Sequence, residues 1–105
     1  MQNFTFRSPS AKQPKLTKSA AETIAIEVFS YLAADPMRFD RFLALSGIGV
    51  ENLRAAAAEP GFLAAILDHL ASDERLLLAF SAHAGQHPEA IAKAREILSP
   101  PSETP

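Results

Sequence analysis

No cysteine occurs anywhere in the chain. That excludes a disulfide scaffold, thiolate zinc sites and cysteine nucleophiles, and it fits a reducing compartment. Long apolar runs are missing too. The longest unbroken ones are a few residues, far short of a membrane span, and no apolar stretch follows Arg7 and Lys12 to make a secretory signal. Two-residue alternation of apolar and polar side chains is absent, so no strand is expected. Also absent are a glycine-rich phosphate loop, an HExxH pair and a Ser/His/Asp arrangement with meaningful spacing. No cofactor is implied.

What is present is apolar content at 48% in 105 residues, enough for one domain with a real core. Charge is unevenly spread. Residues 1–18 carry Arg7, Lys12, Lys15 and Lys18 with no acid, whereas residues 19–98 hold six basic and eleven acidic side chains, a balance of −5. An acidic body repels phosphate backbones, so nucleic acid is disfavoured as a partner and only the basic leader could supply such a contact. The expected organisation is a disordered basic leader over 1–18, one helical domain over 19–98 and a proline-rich disordered tail over 99–105.

The densest apolar stretch, from Pro60 to Ala84, reads as two helices broken at Ala71-Ser72-Asp73 and is expected at the centre of a bundle. Phe62, Leu63, Ile66, Leu67 and Leu70 share one helical face, and Leu76, Leu77, Phe80 and Ala84 repeat the spacing after the break. Ser72 is the expected cap of the second helix, with Asp73 and Glu74 in its first turn, and Gly85 closes it.

Upstream, Ser19-Ala20-Ala21-Glu22 has the form of a capping box opening a helix to about Ala34, with Ile26, Phe29 and Ala33 widening its apolar face. Asp35-Pro36 stops that helix and starts the next, whose Phe39, Phe42 and Leu43 share a face and which ends at Gly47. A further helix starts near Val50, with Ile48 and Leu53 spaced as a hydrophobic staple. Glu59-Pro60 and His87-Pro88 are read as two more helix starts. The result is an all-α, compact bundle of five to six short helices with oblique crossings and no sheet.

Among possible sites, Gly47-Ile48-Gly49 between two helices resembles a helix-hairpin-helix turn, whose backbone N–H groups hold a DNA phosphate, with Arg54 the nearby cation. Arg38, Arg41 and Arg54 could converge on an anion, although pairing with Asp40 and Glu51 is the plainer account. His69, His83 and His87 do not share a helix face, and surface or capping roles are expected for them rather than metal ligation. Asp68, Asp73 and Glu74 are explained by the helix dipole and by pairing with Arg75. No catalytic or metal residue is nominated.

Three groups of residues carry a family resemblance. They are Phe29 with Leu32-Ala33-Ala34-Asp35-Pro36, Arg41 through Gly47 with Leu53-Arg54, and Pro60-Gly61-Phe62-Leu63 with Leu67-Asp68, Leu70, Asp73-Glu74, Leu77 and Phe80. Together they resemble the DUF3572 family of short bacterial proteins, over roughly residues 20–98. The resemblance implies an all-helical protein with no assigned activity. The family pattern has an acid-proline start where this chain has Gly49-Val50, which implies that the Gly-Ile-Gly here is incidental.

The expected function is a non-enzymatic, cytoplasmic protein–protein interaction module, with self-association included and no membrane contact. Leu78, Met37 and Leu45 fall off the inward faces and are the candidate surface. The alternative is a nucleic-acid-binding regulator using the helix-turn-helix-like region 36–58 and the basic leader.

Overall fold

The computed structural model describes residues 16–99. The expected disordered leader, apart from its last residues, and the tail beyond Ser99 lie outside them. Six α-helices follow one another: α1 Lys18–Ala33, α2 Pro36–Ser46, α3 Leu53–Ala57, α4 Phe62–Ala71, α5 Glu74–Ala84 and α6 Pro88–Leu98. A 3-10 turn, Val50–Asn52, leads into α3, and no strand occurs among the described residues. The all-α expectation holds.

The helix boundaries follow local chemistry. Asp35 is the N-cap of α2, accepting from the Met37 N–H at 2.9 Å, with Pro36 at the first helical position. Gly47 and Gly85 end α2 and α5 with φ of 73° and 68°, the left-handed backbone that glycine adopts without steric cost. His87-Pro88 starts α6 as expected.

Four starts differ from expectation. The α-helix expected near Val50 begins at Leu53, behind the 3-10 turn Val50–Asn52. Helix α1 is capped by Thr17, whose Oγ1 accepts from the Ala20 N–H at 3.0 Å, not by Ser19. The earlier cap puts Leu16 just before it and the fully buried Ala21 at the fourth helical position, and both pack into the core. That is the apolar clasp of a hydrophobic staple, which Ser19, preceded by the exposed Lys18, would not give. Helix α5 is capped by Asp73, which accepts from the Leu76 N–H at 3.2 Å, while the Ser72 hydroxyl donates back to the His69 carbonyl. Glu59-Pro60 forms a turn, closed by Phe62 N–H to the Glu59 carbonyl at 3.1 Å, and α4 starts two residues later than expected.

Helices α1, α4 and α6 each pack against the other two; α2 lies on α1 and α4, and α5 on α4 and α6. The central unit is therefore α4 with the two terminal helices, rather than the α4–α5 hairpin. Burial says the same: α1 contributes Ala21, Ile24, Ala25, Val28 and Leu32, whereas α5 buries only Phe80 and Ser81. Alanines on α1 and α6 admit this close approach. An aromatic chain joins α1, α2 and α4, with Phe29 edge-on to Phe39 and Phe62 at 5.9 and 5.7 Å. Ile26 and Ala33, expected to widen the buried face of α1, are exposed.

Candidate functional site

The chemistry-bearing side chains gather where the C-terminal end of α1 meets the start of α2 and the flank of α5. The last turn of α1 leaves carbonyl oxygens without helical partners. Arg38, in the first turn of α2, fills that need: its Nη1 donates to the Tyr31 carbonyl at 2.9 Å and its guanidinium lies 4.1 Å from the Tyr31 ring centroid. Its Nη2 stands 3.6 Å from the Asp35 carboxylate. Arg38 and Tyr31 together form a fixed wall, and a cavity opens on each side of it.

The larger cavity, about 910 Å³, runs between α1 and α5. Ile26, Tyr31, Phe80 and Ala84 give it apolar walls, and Glu27 and Asp35 rim it. His83 leans on the Tyr31 ring with centroids 5.1 Å apart. The smaller cavity, about 560 Å³, is basic: Arg38 and Arg41 reach it from α2, Arg75 from α5 and His69 from α4. Its single acid is Asp73, which caps α5. His69 stands edge-on to Phe42 at 5.1 Å, and its Nε2 is shut off from solvent without a hydrogen-bond partner. Burial, helped by the Arg41 charge and opposed by Asp73, lowers its pKa below 6.5. His69 is thus partly buried, with its Nε2 out of solvent and the ring at the wall of the basic cavity, rather than fully exposed.

Of the three arginines that could converge on an anion, the structure keeps two together. Arg38 and Arg41 meet at the basic cavity, but Arg75 takes the third place there and Arg54 does not line it. Ion pairs of these arginines with Asp40 or Glu51 do not form, and Asp68 pairs with Arg95 rather than Arg75.

At the glycine turn, the Gly47 N–H is bonded to the Ala44 carbonyl at 3.4 Å and the Ile48 N–H to the Leu43 carbonyl at 3.1 Å. Those two bonds close the α2 C-terminus, so neither donor is free for a phosphate. The Glu51 carboxylate folds over Gly49, where an added Cβ would lie 2.7 Å from Oε2, and puts negative charge where an anion would have to sit. Arg54 is exposed on α3, a helix of five residues that makes little more than one turn.

Met37 and Leu45 are 80% and 65% exposed on α2, and Leu78 is 51% exposed on α5. None of the three lines either cavity. Met37, Arg41 and Leu45 are spaced four apart and so form one outward row, about 12 Å long. Nothing in single-helix spacing signalled the exposure of Ile26 or the arrival of Arg75 beside Arg41, because both depend on how α5 sits against α1 and α2.

Residues 18–101 match a family model described as "Protein of unknown function (DUF3572)". The chain belongs to this family. The matched segment spans every helix of the DUF3572 fold described above, with both cavities and the α2 row. Neither the curated proteins nor the solved structures contain a match to the chain. No helix among the described residues is long and apolar enough to cross a membrane.

Proposed function

We propose that the protein is a cytoplasmic, non-enzymatic interaction module that works by binding another protein, a second copy of itself included. The observation that carries this reading is the outward row of α2. Met37 and Leu45 are large, apolar and mostly in water, and the described helices leave them uncovered. Two exposed apolar side chains flanking an arginine on a rigid, capped helix are the kind of surface a partner helix covers. Leu78 adds a second exposed apolar position on α5.

The carboxylates around the two cavities support binding over acid–base chemistry. Asp35 and Asp73 are committed as helix caps, and Glu27 accepts a hydrogen bond from Gln86 at 3.4 Å. A cysteine-free chain suits a reducing compartment.

Sedimentation velocity of the purified protein, paired with affinity capture by wild type and by Leu78→Glu and Met37→Glu variants, tests the reading. It expects either a dimer that the variants dissociate or a captured protein that they lose. A monomer whose capture profile is the same for all three chains removes this surface.

A further inference from the structure

We infer that the basic cavity between α2, α4 and α5 is a binding site for a phosphomonoester. Its lining brings together three arginines, Arg38 and Arg41 from α2 and Arg75 from α5, with the His69 ring of α4 beside them. Such convergence is a product of the tertiary fold, in a domain whose balance over residues 19–98 is −5. Like charges so placed repel one another, and an anion among them relieves that repulsion.

The charges on this wall are only partly neutralised. Among the described residues, Arg41 and Arg75 make no ion pair, and Arg38 shares the Asp35 carboxylate at 3.6 Å. Asp73, the one acid at the cavity, gives an oxygen to the Leu76 N–H. Arg38 is pinned by the Tyr31 carbonyl and ring, so part of the ordering cost of binding is met beforehand. The planar guanidinium forks match phosphate oxygens two at a time, which lysines would not. Arg75 also stands in the first turn of α5, an eleven-residue helix whose positive dipole end favours the same charge. Leu76, Ala79 and the Tyr31 ring give the rest of the wall an apolar character, and the volume of about 560 Å³ suits a small organic phosphate. A nucleic-acid strand fits poorly, because the surrounding acidic body would repel its other phosphates.

The test titrates isotope-labelled full-length protein with inorganic phosphate and, separately, with phenyl phosphate, at constant ionic strength and about pH 7.5, where phosphate is mostly dianionic. Saturable NMR shifts confined to Arg41, Arg75, His69 and their neighbours are expected, with a Kd of about 1 mM or tighter for phenyl phosphate. The His69 imidazole should titrate at higher pH with ligand bound, since the anion offsets the Arg41 charge that now opposes protonation. Exchanging Arg41 and Arg75 together for Gln should weaken binding at least about tenfold, and Arg75→Lys should weaken it while keeping the charge. Arg54→Gln, outside the cavity, should change nothing. Shifts that stay linear in phosphate and spread over all basic residues overturn the site, as does an Arg54→Gln effect equal to that of the double variant. These readouts are independent of any protein partner, so the interaction surface on α2 stands or falls separately.

Discussion

His69 is the residue at which sequence and structure part most clearly. In the sequence it is one polar residue between Asp68 and Leu70; in the fold it is wedged against Phe42 with Nε2 buried and unpartnered. Its pKa is lowered, mainly by burial, so the unfolded chain holds more protons than the folded one as pH falls through 6.5. Stability should therefore be full above that value and decline as pH drops toward the folded pKa. Thermal melting followed from about pH 8 to about pH 5 should show this decline, and His69→Leu should flatten it. An identical slope in the variant would remove His69 as its source. Among the described residues, Ser81 also has a buried side-chain oxygen without a partner: its Oγ lies inside the α5 contact with the core. Replacing it with alanine removes a desolvated hydroxyl, so the melting temperature should hold or rise, and a fall of several degrees would show an unrecognised bond.

At the scale of elements, the stop and start signals were largely readable because they are local. Asp35-Pro36, Gly47, Gly85 and His87-Pro88 each fix a few dihedrals by their own chemistry, whatever packs nearby. Caps failed where two candidates stood close together. Thr17 prevails over Ser19 because Leu16 and Ala21 then meet the core, and Asp73 over Ser72 because its carboxylate reaches the third N–H of α5. Neither choice can be made without the neighbours. The glycines allow a direct check: Gly47→Ala and Gly85→Ala should each cost about 1 kcal/mol, since alanine is strained at those positive φ values. Gly61→Ala, at φ −90° with open space around the new methyl, should be neutral or stabilising by a few tenths. Equal losses at all three in urea unfolding would contradict the distinction.

For the whole molecule, helical periodicity identified the fold class, because six amphipathic helices without strands can bury their stripes only against each other. It misplaced the centre. Apolar density marked the stretch from Pro60 to Ala84, but the alanine-lined α1 and α6 pack against α4 more extensively than α5 does. Leu78, Met37 and Leu45 were legible as outward-facing because each falls clear of its own helix's apolar stripe, whereas Ile26, at the stripe's edge, was not. The basic cavity was legible only in Arg38 and Arg41, since Arg75 lies 34 positions from Arg41 in sequence and only packing unites them.

Interaction through α2 is the central claim. Its most direct measurement is quantitative affinity capture from the native cell, comparing the tagged wild-type chain with a Met37→Glu/Leu45→Glu variant of matched thermal stability. Both positions are solvent-exposed, so the fold should survive the change. The account predicts that one or a few proteins, or untagged copies of this chain, are recovered by wild type and lost by at least about tenfold in the variant. Equal recovery of every captured protein by the two chains would contradict it.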